Sequence, residues 1–102
     1  MNLPIALVDA APSAYVVLEN QTPKDIRMDG WRLTGQDSPE PYEFAHHFVW
    51  KGKERLAIAQ DVDACPSGEH RLLEADEDFM GRNTILRLTN RAGTLVAEWS
   101  LA

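Results

Sequence analysis

Two aspartates one residue apart, Asp61 and Asp63, have the spacing in this sequence that most suggests a chemical site. Alternate side chains of an extended chain point to one side, so both carboxylates would share a face. Together with Glu74 and the acids at 76–78, they could supply the oxygen ligands that Ca²⁺ prefers. A solvated acidic face explains the same pattern, and we favour it. We therefore assign no metal site and no cofactor, and keep a small metal-binding protein or metal-dependent enzyme as the alternative function.

The candidate nucleophile and bases are Cys65, His46, His47 and His70. Cys65 lies in a turn before Pro66, with no basic neighbour to stabilise a thiolate. If residues 46 and 47 belong to a strand, their side chains point to opposite faces and cannot both reach one ion. We expect one of these two imidazoles to be partly packed and the other solvated. The sequence has no G-x-S-x-G, no Gly-rich phosphate loop and no H-E-x-x-H, so we assign no catalytic residue and predict that the protein is not an enzyme.

Charge narrows the classes of partner. Ten Lys and Arg against sixteen Asp and Glu give a formal net charge of −6. Non-specific binding to nucleic acid or to an anionic membrane needs basic surface, so we predict neither.

Length and cysteine count limit the architecture. The 102 residues suit a single domain spanning 1–102, since a second core would leave each half too small. One cysteine excludes an internal disulfide. The apolar stretch at residues 4–8 is short and has no Lys or Arg before it, unlike a signal peptide. These features predict a cytoplasmic protein with no membrane-spanning segment.

Turn residues recur about every ten positions, and this spacing is typical of an all-β sandwich or barrel. The segments between the turns are short and rich in β-branched and aromatic residues. They predict strands at Ile5–Val8, Tyr15–Glu19, Trp31–Thr34, Tyr42–Phe44, Phe48–Trp50, Arg55–Ala59, Ile85–Thr89 and Leu95–Leu101.

The alternation of apolar and polar residues predicts which side chains form the core. Val16 and Leu18 share one face of the second strand, and we expect that face to point inward. The predicted core is Val16, Leu18, Trp31, Leu33, Tyr42, Phe44, Leu56, Ile58, Leu86 and Leu88.

The last two strands predict a hairpin. Asn90-Arg91-Ala92-Gly93 suits a type I turn closed by Gly93 in the left-handed conformation. In the final strand one face is wholly apolar, whereas the other carries Glu98, which is costly to bury without a partner. We therefore expect the apolar face to point to the core, and it consists of Leu95, Ala97, Trp99 and Leu101.

The stretch Glu69–Phe79 does not read as a strand. Its large apolar residues are Leu72, Leu73 and Phe79, and four of its residues between positions 74 and 78 are acidic. An irregular loop whose apolar residues tuck under the sheets is the preferred interpretation. A short helix with Leu72, Ala75 and Phe79 on one stripe is the alternative, so the conformation of residues 60–80 stays open.

A structural motif follows the second strand. Asn20 ends that strand, where its side chain can bond to the backbone two residues on. Gly30 comes after Asp29 at a point where a positive φ suits glycine, and Trp31 and Leu33 follow it. Together with the later hairpin at Gly93 and the strand around Trp99, this order resembles the lamin-tail domain. The resemblance covers roughly residues 14–101.

The resemblance implies a fold and a role. Lamin-tail domains are immunoglobulin-like antiparallel β-sandwiches that act as protein-binding domains, and the nuclear ones also contact chromatin. For this acidic chain we carry over the sandwich and protein binding, but not the chromatin contact. We therefore expect a non-enzymatic protein-interaction or structural module.

Two kinds of surface could serve such a module. Aromatic and aliphatic residues beyond those needed for the core would mark a partner patch, and the candidates are Tyr15, Val17, Phe48 and Trp50. Core packing is the competing explanation for each of them. Open sheet edges could also pair with a second copy and give a homo-oligomer.

Overall fold

The computed structural model describes residues 4–11, 14–35, 41–64, 68, 70–75 and 85–100. Its strands are short, as the frequent turn residues require. In chain order they are β1 (Ile5–Ala11), β2 (Tyr15–Asn20), β3 (Ile26–Arg27), β4 (Arg32–Gly35), β5 (Tyr42–Glu43), β6 (Val49–Trp50), β7 (Arg55–Ala59), β8 (Arg71–Glu74), β9 (Ile85–Thr89) and β10 (Leu95–Ser100), with a 3-10 helix at Val62–Ala64.

These strands form two four-stranded sheets and a two-stranded ribbon. The first sheet has the order β1-β2-β7-β8, the second β10-β9-β4-β5, and β3 pairs with β6. All pairs are antiparallel except β7 with β8, which is parallel. The chain is therefore all-β, as predicted, and its two larger sheets fit a β-sandwich. Within the described ranges, no helix is both long and apolar enough to cross a membrane.

The core lies between the two sheets. All ten predicted core residues belong to one apolar cluster, eight of them buried and two, Trp31 and Tyr42, half-buried against it. Val16 and Leu18 of β2 and Leu56 and Ile58 of β7 come from the first sheet. The second sheet supplies Leu33, Leu86, Leu88 and Ala97. The phase assigned to β2 is thus confirmed.

The four candidate partner residues are buried and form no exposed patch. Trp50 and Phe48 belong to the main core, and the exposed fraction of Trp50 is 0%. Tyr15 and Val17 lie on the opposite face of β2, where they pack with Ala57 and Ala59 in a second, smaller cluster. The sequence left core packing as the alternative to a partner patch for these two residues, and core packing is what the structure shows, because this sheet buries side chains on both faces.

The closing hairpin is confirmed, but its final strand is not regular. Gly93 has a φ of 85°, the left-handed value expected for this turn. The pairing of β10 with β9 shifts between Leu95 and Ala97, so Val96 is an extra residue in the strand. Such a bulge breaks alternation. Val96 packs against the core and Leu95 is 49% exposed, which contradicts its predicted inward position.

Ala97 is buried and Trp99 is half-buried against the core, as the predicted face requires. The indole nitrogen of Trp99 donates to the carbonyl oxygen of Ile5 at 3.2 Å. This bond joins β10 at the edge of one sheet to β1 at the edge of the other. Leu101 lies outside the described residues.

Part of the stretch Glu69–Phe79 is a strand, so neither the loop nor the helix interpretation is correct for residues 71–74. Leu73 lies beside Ile58 in the parallel register and packs against the core. The backbone N–H of Ala75 then donates to the carbonyl of Ala59 at 2.8 Å. A parallel strand of four residues is too short for alternation to reveal. Residues 69 and 76–79 lie outside the described ranges.

Candidate functional site

A cleft with a volume of about 380 Å³ lies where three connections of the second sheet meet. We call it the charged cleft, because most of its walls are ionisable side chains. The turn before β4, the first residue of β4, β5 with the segment after it, and the β9–β10 turn contribute residues to it. They are Asp29, Gly30, Arg32, Glu43, Phe44, His46 and Arg91.

The first wall is the turn between β3 and β4. The backbone N–H of Trp31 donates to the carbonyl of Met28 at 3.0 Å and closes this turn. Gly30 has a φ of 70°, as its place after Asp29 predicted. Met28 is itself buried, and its N–H donates to the carbonyl of Phe48 at 2.9 Å. The turn is therefore fixed to the core directly beneath it.

The opposite wall is the β9–β10 turn. The side-chain oxygen of Asn90 accepts from the backbone N–H groups of Ala92 and Thr94, each at 3.0 Å. These two bonds hold the turn that carries Arg91. The aliphatic part of Arg91 lies across Gly30, where an added Cβ would stand 3.4 Å from Cγ of Arg91. The two turns are therefore in ordinary van der Waals contact, and it is the positive φ of position 30 that favours glycine there.

The floor of the cleft is aromatic. Phe44 is buried and makes an edge-to-face contact with Tyr42, with ring centroids 5.1 Å apart. The centroid of the Phe48 ring is 5.3 Å from that of Phe44. The N–H of Phe44 also donates to the carbonyl of Trp31 at 2.8 Å. Aromatic contacts of this kind add to the free energy of simple burial, so they stiffen the floor.

The charges of the cleft are partly paired. Arg27 contacts Asp29 at 3.3 Å, and Arg32 contacts Glu43 at 3.2 Å. Arg91 has no ion pair with any described residue. In an acidic protein, a guanidinium on a cleft wall that pairs with no described residue is a donor for an incoming carboxylate or carbonyl.

Asp29 is ionised at neutral pH. Burial of its carboxyl raises the pKa, but the Arg27 guanidinium, a backbone N–H and the imidazoles of His46 and His47 lower it by more. The pKa of Asp29 therefore lies below its ordinary value. One of its oxygens, Oδ1, is buried and has no hydrogen-bond partner among the described residues.

The motif residues are structural, and Asn20 is the most connected of them. Its Oδ1 accepts from the backbone N–H of Thr22 at 3.0 Å, the bond two residues on that was predicted. Its Nδ2 donates to the carbonyls of Lys24 at 2.9 Å and Lys51 at 3.1 Å. Asn20 is the buried polar residue of the described core. It joins the end of β2 to the connection between β6 and β7.

The histidine pair lies in a turn and not in a strand. His46 and His47 are both exposed, so the expectation of one packed imidazole is wrong. Their ring centroids are 3.8 Å apart, and His47 has a φ of 64°. The left-handed residue reverses the chain and brings adjacent side chains together, which a strand would not do.

The acidic residues around 61–63 form a local turn. Asp61 Oδ1 accepts from the backbone N–H of Asp63 at 3.2 Å, beside the 3-10 helix. Among the described residues, no group of three or more His, Cys, Asp or Glu is placed to hold a metal ion. Cys65 and the acids at 76–78 lie outside the described ranges, whereas Glu74 is exposed on β8.

No protein-family model matches this sequence, and a comparison with curated proteins found no match either. The interpretation of the cleft therefore depends on its own geometry. Sequence reasoning did not assign Asp29, Arg32 or Arg91 to a site. The signal it did contain was the Asn90–Gly93 turn, which places Arg91 at the tip of a rigid hairpin.

Proposed function

We propose that this chain is a non-enzymatic protein-interaction module with an immunoglobulin-like β-sandwich that resembles the lamin-tail domain. Its binding surface is the charged cleft. The partner is a protein that presents a carboxylate or a backbone carbonyl to Arg91.

The arrangement of the strands supports this fold proposal. Two four-stranded sheets share one core, and β9 and β10 close the second sheet. The motif residues on which the resemblance depends have the roles that such a sandwich needs. Asn20 braces the turn after β2, Gly30 has a positive φ, and Gly93 closes the last hairpin.

The observation that carries the functional proposal is that the cleft is already formed by turns fixed from beneath. Asn90 holds one wall and the buried Met28 holds the other. A surface that is ordered before binding loses less conformational entropy when the partner arrives. Loops at one end of a sandwich are where such folds commonly bind their partners.

The test uses the full chain, immobilised, and a lysate of the cells that produce it. We compare the unchanged protein with Arg91→Gln and with a matched control, Arg87→Gln. Arg87 is also a partly exposed arginine of this sheet, but it pairs with Glu98 at 2.6 Å outside the cleft. Bound proteins are quantified by mass spectrometry, and the affinity of each purified candidate is then measured.

A charge-assisted hydrogen bond contributes about 1.5–3 kcal/mol, so Arg91→Gln should weaken the partner's affinity roughly tenfold or more. Arg87→Gln should change the partner's affinity by no more than about twofold, which is well below the loss expected for Arg91→Gln. The proposal fails if no purified partner depends on Arg91, or if both variants weaken binding equally. Native mass spectrometry with and without a chelator tests the metal-binding alternative, which a bound ion would favour instead.

A further inference from the structure

A second concave surface, with a volume of about 400 Å³, lies where β7 and β8 begin. We call it the basic groove, and its residues are Lys53, Glu54, Arg55, His70 and Arg71. Three of these five carry a positive charge and one carries a negative charge. The groove is thus locally basic on a chain whose formal net charge is −6.

The sheet brings these cations together from separate parts of the sequence. Because β7 and β8 are parallel and Leu56 lies beside Arg71, Arg55 and His70 both come one residue earlier at the same end of the sheet. Lys53 sits just before β7 in a turn, with a φ of 65°. A parallel pair aligns the starts of both strands, and therefore gathers the residues that precede them.

The stems of the three cations are held by the protein. Nε of Arg55 contacts Glu19 at 3.1 Å, and Nζ of Lys53 donates to the carbonyl of Gln21 at 2.6 Å. Nη1 of Arg71 donates to the carbonyl of Val49 at 3.1 Å, and its guanidinium lies 4.4 Å from the centre of the Phe48 ring.

These contacts position the cations without using all their donors. Arginine has five N–H donors. Beyond the contacts with Glu19 for Arg55 and with Glu54 and Val49 for Arg71, no described residue bonds to either guanidinium. As far as the described residues go, the remaining donors can reach acceptors of a ligand, and their side chains have already lost much of their rotamer freedom.

An apolar contact lies next to the basic groove. Leu73 of β8 packs toward the core, so Leu72 lies on the other face and is 44% exposed. It is one of the three large apolar side chains exposed in the described part of the chain. Beyond it, Glu74 is exposed on the same face. On this face a cation (Arg55 of β7), an aliphatic side chain (Leu72) and an acid (Glu74) therefore follow one another along the paired strands, whereas Arg71 alternates onto the face of Leu73.

We propose that the basic groove binds a short acidic segment of a protein partner, with acidic side chains on Lys53 and Arg55 and an apolar side chain on Leu72. The acidic residues of the bound segment should end before Glu74, because the carboxylate of Glu74 would repel a further carboxylate of the ligand. A short peptide carries few charges, so it suits a small basic surface. A nucleic acid would bring many phosphates against a chain of net charge −6, and their repulsion acts over about 8–10 Å at physiological salt.

The test measures fluorescence anisotropy of labelled synthetic peptides with the full chain. The probe has the core Glu-Glu-Glu-Leu between Gly-Ser flanks, and its control has Gln in place of each Glu. Inorganic phosphate and a short oligothymidine serve as competitors. The Glu peptide should bind at least about tenfold more tightly than the Gln peptide, since one charge-assisted bond accounts for that factor. Its affinity should fall as salt is raised.

Variants locate the binding. Arg55→Gln and Lys53→Gly should each lower the affinity for the Glu peptide about fivefold or more, because each removes a positive charge that contacts a carboxylate of the peptide. Leu72→Ser should weaken it less, and the control Arg87→Gln should not change it. Lys53→Gly keeps the proposal testable if Arg55→Gln destabilises the fold by leaving Glu19 unpaired.

Three results would overturn this inference: equal affinity for both peptides, equal loss in Arg55→Gln and Arg87→Gln, or displacement by oligothymidine or phosphate at concentrations below that of the peptide. The basic groove and the charged cleft share no residue. Loss of peptide binding while an Arg91-dependent partner remains contradicts only this inference. Peptide binding at Arg55 without any Arg91-dependent partner contradicts only the proposed role of the cleft.

Discussion

Two asparagines, Asn20 and Asn90, end strands and build turns with the same local bond. The side-chain oxygen of each accepts from a backbone N–H two residues on, at 3.0 Å in both turns. In the sequence, Gly30 and Trp31 follow the first turn, and Gly93 and Trp99 follow the second. From the sequence, the two regions look equivalent.

In the structure, the two turns differ in the hydrogen-bond partners of the asparagine side chain. Asn20 is fully buried, and its Nδ2 donates across to the carbonyl of Lys51, 31 positions away. Asn90 is half-buried, and the bonds of its side chain stay within its own turn. The first turn therefore joins distant parts of the chain, whereas the second is a local hairpin.

The side chain of Asn20 bonds to the segment that carries Trp50 and Gly52, and we call these three residues with their turns the Asn20 region. Asn90, Gly93 and Trp99 make up the Asn90 region, and the tryptophans and glycines of the two regions differ in the same way as the asparagines. Trp50 is fully buried, and its indole nitrogen donates to the carbonyl of Glu54 at 2.7 Å, whereas Trp99 is half-buried. An added Cβ at Gly52 would stand 2.5 Å from backbone atoms of Pro23, but at Gly93 it would meet nothing within 4 Å. Stability should therefore depend much more on the Asn20 region than on the Asn90 region.

The tryptophan pair gives the largest expected effect. Trp50→Ala removes a fully buried aromatic side chain and should lower the free energy of unfolding by about 4–5 kcal/mol. Trp99→Ala should cost about 2 kcal/mol, because part of its surface is already in solvent. Urea unfolding followed by circular dichroism measures both. Equal losses would contradict the division between the two regions.

The asparagine pair comes next. Asn20→Ala removes a fully buried amide and leaves the partly buried carbonyls of Lys24 and Lys51 and N–H of Thr22 without this partner. The free energy of unfolding should fall by about 3 kcal/mol, since each unsatisfied buried group costs about 1–3 kcal/mol. Asn90→Ala should cost about 1 kcal/mol, because water can replace its bonds. A larger loss in Asn90→Ala would show that the hairpin turn matters more to the fold.

The sequence was sufficient for the elements that depend on local pattern. Alternation identified the inward face of β2, and the Asn90–Gly93 signal identified the final hairpin. It did not identify Trp50 as the central tryptophan, because its environment is created by residues far along the chain. The bulge at Val96 and the parallel strand β8 were missed because neither follows regular alternation.

The candidate sites were less predictable. The charged cleft joins residues near 30, 43–46 and 91, and the basic groove joins residues near 53–55 and 70–71. Only the pairing of strands places these side chains together. A net charge of −6 gave no indication that three cations would gather at one end of a sheet.

The glycine pair tests the close packing of the Asn20 region. In Gly52→Ala the new Cβ would meet backbone, which cannot move aside as a flexible side chain can, so the expected cost is about 2–3 kcal/mol. In Gly93→Ala the space is open, and the expected cost is about 1 kcal/mol from the left-handed φ alone. Thermal unfolding of both variants would decide, and a lower melting temperature in Gly93→Ala would contradict the comparison.

Lys53 has the smallest expected effect, and it is the one place in the Asn20 region where a substitution should stabilise. Its φ of 65° suits glycine better than lysine. Lys53→Gly relieves this strain, but it also removes the bond from Nζ to the carbonyl of Gln21. That bond is at the surface, so we expect a net gain of up to about 1 kcal/mol in the free energy of unfolding.

His47→Gly is the matched control, because His47 has a similar φ of 64° outside the basic groove. Both variants should be at least as stable as the unchanged chain, but only Lys53→Gly should weaken the acidic peptide. A loss of stability in Lys53→Gly alone would mean that the Nζ bond contributes more than the strain costs. The lysine would then hold the β6–β7 turn as well as carry charge.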